Sequence, residues 1–355
     1  MKTGKAMLVN IQWLRFVAAF AVVLYHAMPL WPDAPGWVAA AGAVGFAGVD
    51  VFFVISGFIV WYTTQGASGS EPAMAFLKRR FARIYAGYWP YFGLTMLLLW
   101  WFDPARLAGC DLLGSLFLLP IPITSRVLPV SWTLTYELYF YLLFFSLLWF
   151  PERIRGRVLI LLGAMVLAAM MIGIAMSSLG MGFAAGLPRG LRPLLSPYLL
   201  EFLAGTFIGR LHGLGVRRGS GAAMTTGILL FAVGGWYNLE FRGGLEGGLH
   251  VIERVACFGP AAALLVYAAL SLEARGHSLG FAPGELLGGA SYSLYLAHTP
   301  LIGLFGWLGL GALFPTVGVT LVLLGWLGVI LLYSVLHYRQ VEVPCYRLMR
   351  RWLRV

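Results

Sequence analysis

Cysteine and acidic side chains are the scarce components of this sequence. Cys110, Cys257 and Cys345 lie far apart, with no C-x-x-C pair. Such spacing indicates neither a disulfide framework nor a structural zinc site. Each cysteine is read as a small apolar packing residue. No H-E-x-x-H, G-x-S-x-G or Walker A motif occurs, so several hydrolase and ATPase mechanisms lose support. Charge as a whole is short as well. Charged residues make up 11% of the chain and hydrophobic ones 60%. A soluble protein needs more charge than this to cover its surface.

What the chain has instead is a series of apolar runs, each near the roughly 20 residues that cross a bilayer. The runs are continuous rather than alternating, which disfavours a β-barrel. The expected fold is all-α, a multi-pass membrane bundle of about ten spans forming a single domain over residues 1–355. The spans run roughly 11–30, 42–63, 85–102, 129–150, 157–178, 194–211, 220–238, 251–271, 285–308 and 316–337. A shorter apolar piece from Asp111 to Pro122 reads as interfacial or re-entrant. No connecting segment reaches the roughly 50 residues of a soluble domain. Any chemistry must come from helices and short loops. The first run follows Lys2 and Lys5 but precedes many others, so it is expected to be retained rather than cleaved as a signal peptide.

The net charge of +11 does not call for nucleic acid, because cytoplasmic loops of membrane proteins collect Lys and Arg. With both termini placed in the cytoplasm, about 18 basic residues fall inside and about 6 outside, as the positive-inside rule requires. The inner set includes Lys2, Lys5, Lys78, Arg79, Arg80 and Arg83, and the outer set is Arg106, Arg126, Arg189, Arg192, Arg242 and Arg254.

Ionisable residues inside the runs are the informative exceptions. Each costs roughly 2.5–3.5 kcal/mol at a helix centre on insertion scales, and is a functional candidate by default. Arg15 and His26 lie in "NIQWLRFVAAFAVVLYHAMPL". Eleven positions is about three helical turns, so the pair shares a face with about 16 Å between them along the axis. They cannot touch, but they can contact two ends of one elongated ligand. Arg15 alone could simply snorkel to headgroups, and His26 could simply bond a carbonyl. Asp50, Glu137, Glu201 and His298 are similar exceptions in other runs. Lys78, Arg79, Arg80 and Arg83 in "FLKRRFARIYAGYW" suit either anionic headgroups or a phosphorylated cytosolic ligand.

Together these stretches resemble the bacterial membrane acyltransferase-3 family, multi-pass O-acyltransferases that modify cell-surface polysaccharides. Arg15 and His26 match its R-x10-H spacing. "GVDVFFVISGFIV" matches its F-F-x-x-S-G signature, and Arg80 and Arg83 its R-x-x-R. Trp132 and Glu137 match W-x-L-x-x-E, and "SYSLYLAH" matches the late run ending at His298. The "NIQWLR" start is similar to exopolysaccharide acetyltransferases.

The resemblance implies transfer of an acetyl group from cytosolic acetyl-CoA to a glycan hydroxyl, in a bacterial inner membrane and with no metal. Its implied partners are a polysaccharide or lipid-linked glycan acceptor, membrane lipids and polysaccharide-assembly proteins. It also implies that the Arg15/His26 pair acts in catalysis. On that footing Arg80, Arg83 and Arg15 would hold the donor's phosphates. His26 would act as general base or carry the acetyl group covalently. Asp50 or Glu137 would orient it, and His298 would position the acceptor or stabilise the oxyanion. A secondary transporter or glycan exporter with a buried charged path is the competing expectation.

Overall fold

The computed structural model describes residues 8–177, 190–241, 251–280, 282–313 and 318–355. Lys2, Lys5, Arg189 and Arg242 lie outside the described residues. The described chain is helical throughout its main elements. The long helices are α1 (Val9–Ala27), α3 (Gly48–Thr64), α4 (Ser70–Phe102), α7 (Trp132–Leu147), α8 (Glu152–Ser177), α9 (Tyr198–Gly213), α10 (Ser220–Phe241), α11 (Val251–Glu273), α12 (Ala282–Trp307) and α14 (Val319–His337). Shorter helices are α2 (Gly36–Ala43), α5 (Pro104–Ala108), α6 (Leu112–Leu116) and α13 (Leu310–Leu313). A π-helical turn, Tyr338–Glu342, leads from α14 into the terminal α15 (Val343–Trp352).

The chain is a multi-pass membrane protein. Among the described residues six segments are long and apolar enough to cross a bilayer: Val9–Leu30, Gly45–Thr64, Glu152–Ala175, Ser220–Phe241, Val251–Glu273 and Val319–Trp352. The other four expected spans are helices too, but each departs from the simple pattern. In α4, 33 residues extend about 50 Å at 1.5 Å per residue. That exceeds the hydrocarbon thickness of about 30 Å, and the excess is its basic first half. α12 is rich in Gly, Ser and Tyr where the other spans are aliphatic. α7 and α9 have 16 residues each, about 24 Å, and so fall short of a full crossing. Trp132 and Tyr198, at the first positions of these two helices, line a large cavity.

The segment expected to be interfacial or re-entrant folds back along α4. Tyr88 Oη donates to the Ser115 carbonyl at 2.7 Å, Tyr85 Oη to that of Phe117 at 3.1 Å and Trp89 Nε1 to that of Leu116 at 3.3 Å. Arg126 Nη2 donates to the carbonyls of Leu119 (2.9 Å) and Ile121 (3.3 Å). These side chains thus satisfy carbonyls at and beyond the end of α6.

Helix ends tie one edge of the bundle together. The Glu273 carboxylate at the end of α11 accepts from the backbone N–H of Val9 (2.6 Å) and Asn10 (3.0 Å). It caps the α1 N-terminus, whose exposed amides favour negative charge. Small residues set the closest contact, between α3 and α9. A Cβ at Gly57 would collide with the Phe202 carbonyl, and one at Gly205 with that of Val54. Gly57→Ala is therefore expected to force the two helices apart at a cost of about 1–3 kcal/mol. A thermal melt in detergent checks this, and a variant melting with the wild type would contradict the packing.

Candidate active site

Two cavities are strung along α1. The smaller, about 190 Å³, has Arg15, Ser56, Arg80, Arg83, Glu137 and Tyr141 in its wall. The larger, about 700 Å³, has His26 in its wall, together with Arg126, Trp132, Tyr136, Tyr198 and Arg254. Val49 and Tyr295 belong to both walls, so these two side chains stand between the cavities. Tyr295 Oη is held there by the Val130 carbonyl and Thr133 Oγ1, each at 3.0 Å. The eleven-residue spacing thus sets an arginine in one chamber and an imidazole in the next.

The small chamber is cationic, and its arginines differ. Arg83 is ion-paired with Glu342 of the π-helical turn and lies over the Tyr292 ring at 4.9 Å. Glu342 also accepts from Ser293 Oγ at 2.7 Å. Arg80 donates to Thr63 Oγ1 at 3.1 Å and packs on the rings of Phe76 and Tyr141. Arg15 donates to Gln12 Oε1 at 3.1 Å. Among the described residues, no carboxylate forms an ion pair with Arg15 or Arg80. These two guanidiniums keep donors for an anion, whereas the charge on Arg83 is already balanced.

His26 is half-buried and His298 fully buried. The rings are 4.8 Å apart, with His298 Nε2 at 3.2 Å from His26 Nδ1. Each Nδ1 also faces a backbone carbonyl, Val22 O at 2.9 Å for His26 and Leu294 O at 3.3 Å for His298. A carbonyl only accepts, so each Nδ1 carries a proton in the neutral pair. His298 Nε2 is then a lone pair facing the His26 Nδ1–H, and the lone pair of His26 falls on Nε2. That is the arrangement a general base requires, with its second nitrogen held by a fixed acceptor.

Neither expected acid reaches this ring. Asp50 accepts from Arg254 Nη2 at 2.7 Å and from Arg254 Nε at 3.0 Å. Its carboxylate is consumed by a buried cation, and Glu201 stands beside the pair. Glu137 accepts from Ser56 Oγ at 3.0 Å and from Tyr141 Oη. It lies in the Arg15 chamber, away from the imidazole's recorded partners. His298 holds the place in which an orienting carboxylate was expected. Arg254 and Glu342, which were not singled out as site residues, complete the ion pairs of Asp50 and Arg83.

A family model described as an acyltransferase domain matches residues 8–338. The exopolysaccharide production protein ExoZ of Rhizobium meliloti (strain 1021) is 33% identical over 272 residues, covering 74% of this chain and 78% of that protein. Acyltransferase MdmB of Streptomyces mycarofaciens is 28% identical over 328 residues, covering 85% and 81%. No solved structure matches the chain.

Proposed function

The chain belongs to the acyltransferase-3 family, and we propose that it moves an acetyl group from cytosolic acetyl-CoA to a hydroxyl of a cell-surface or exopolysaccharide glycan. The observation that carries this reading is that Arg15 and His26 line two neighbouring chambers along α1. The likeness to an exopolysaccharide production protein supports the glycan acceptor. We place the chain in a bacterial inner membrane with both termini in the cytoplasm, an orientation that the charge bias supports.

In this reading Arg15 and Arg80 grip the donor's phosphates through guanidinium N–H groups. Arg83 is held by Glu342 and shapes the chamber wall. The thin arm of the donor runs along α1 past Val49 and Tyr295, over the axial gap of about 16 Å. Its thioester then meets His26 from the inner side while the acceptor occupies the large chamber. His26 Nε2 takes the proton of the attacking hydroxyl, which adds to the thioester carbonyl. Collapse expels the CoA thiolate, and the proton on His26 neutralises it. The His298 lone pair facing Nδ1–H stabilises the transient imidazolium.

Purified protein incubated with radiolabelled acetyl-CoA and a deacetylated polysaccharide repeat unit should label the glycan. Movement of a glycan across proteoliposomes without label transfer would overturn the reading. Arg80→Ala is expected to raise the donor concentration for half-maximal rate about tenfold, the equivalent of about 1.4 kcal/mol. An unchanged requirement would return the basic segment of α4 to lipid anchoring.

A further inference from the structure

The large chamber carries a charge that acyl transfer to a neutral sugar does not need. Among the described residues its wall holds three arginines, Arg126, Arg192 and Arg254, and no carboxylate. Asp50 balances Arg254 from behind the wall. Arg126 has no such partner. It is 2% exposed, and only its Nη2 is used, to hold the Leu119 and Ile121 carbonyls. Its Nε and Nη1 make no hydrogen bond. A buried guanidinium with unmade bonds is costly. Bracing the Leu119 and Ile121 carbonyls accounts for one nitrogen and leaves two without a partner. Arg192 lies in the same wall on the exposed side. Trp132 and Tyr136, both half-buried in this wall, offer aromatic surface to a sugar ring.

Resting on the acyltransfer reading of His26, we propose that the acceptor is an anionic glycan whose carboxylate or phosphate is seated on Arg126, with Arg192 guiding it in. The oxyanion completes the hydrogen bonds that Arg126 lacks and fixes one end of the acceptor while a hydroxyl reaches His26. Charge-assisted bonds of this kind also discriminate against an uncharged isostere, because the unpaired cation is then left behind.

The test reads binding to the full-length protein in detergent without any acyl donor. Three probes are used: a glucuronate-terminated tetrasaccharide, its carboxyl-reduced twin, and a prenyl-phosphate-linked glucose. The wild type should bind at least one anionic probe about 30-fold or more tightly than the neutral twin. Arg126→Gln should erase that preference while leaving the neutral probe within about twofold, and Arg126→Lys should keep part of it. Preference for the tetrasaccharide assigns the anion to the sugar, and preference for the prenyl phosphate assigns it to the lipid linkage. No preference in the wild type overturns the proposal. An equal loss for all three probes also overturns it and leaves Arg126 a loop brace. Should Arg126→Gln not fold, Arg192→Gln decides: an undiminished anionic preference in it overturns the proposal. Charge-selective binding without acetyl transfer would defeat the enzymatic reading and spare this subsite.

Discussion

His26→Ala should lower acetyl transfer about 10³-fold, within the range of about 10²–10⁴ that a positioned acid–base group supplies, while the protein still inserts and melts near the wild type. The ring is half-buried at a cavity wall, so its removal enlarges a space that already exists rather than opening a void in packed core. In the proposed reading His298 acts on substrate only through His26. His298→Ala should therefore lose less, about 10–100-fold. The double variant should lose no more than His26→Ala alone, because residues working as one unit are not additive. Single-turnover label transfer measures all three. Multiplying losses in the double variant would show that His298 acts on its own, at the acceptor or at the oxyanion. Substantial transfer by His26→Ala would remove the imidazole from the chemistry.

The helices, the short apolar piece after Asp111 and the Arg15–His26 register were legible because each is a local property. Apolar length, a three-turn spacing and a Pro-ended short run are read from neighbours in sequence. The partners of the buried charges were not legible. Asp50 and Arg254 are 204 residues apart, Arg83 and Glu342 are 259 apart, and His26 and His298 are 272 apart. Nothing in a hydrophobic pattern says which spans touch. A nearby acid such as Asp50 therefore looks as good an orienter for His26 as the distant His298. One signal was present in the charge count. With both termini placed in the cytoplasm, Arg126, Arg192 and Arg254 fall on the side from which the positive-inside bias removes cations, and all three line the large chamber. Glu342 gave less warning, since it lies among basic residues just beyond the last apolar run.

Asp50→Asn should produce the largest loss of stability among single substitutions at the site. Asp50 is fully buried and Arg254 nearly so. Removing one partner of such a pair strands the other, at a cost of about 3–5 kcal/mol. Arg254 would retain the Phe46 carbonyl at 2.9 Å and the rings of Phe46, Trp132 and Tyr198. Glu201 stands close enough to take over part of the pairing, which places the single variant near the lower end, about 3 kcal/mol. Adding Glu201→Gln should then cost more than the sum of the two separate changes, since Glu201 is the buried acid left beside the cation once Asp50 is neutralised. Replacing the pair together, as Asp50→Leu with Arg254→Met, removes the stranded cation, leaves only the Glu201 carboxyl in the pocket and should recover part of the loss. Melting temperatures in detergent should thus fall in the order wild type, Asp50→Leu/Arg254→Met, Asp50→Asn, Asp50→Asn/Glu201→Gln. An Asp50→Asn protein as stable as the wild type would mean that the pair does not brace the chamber wall. The paired replacement also separates stability from chemistry: it removes Arg254 from the wall but leaves His26 and His298 in register. It should therefore keep donor binding while weakening acceptor use, and failure of donor binding would mean that the two chambers are not separable.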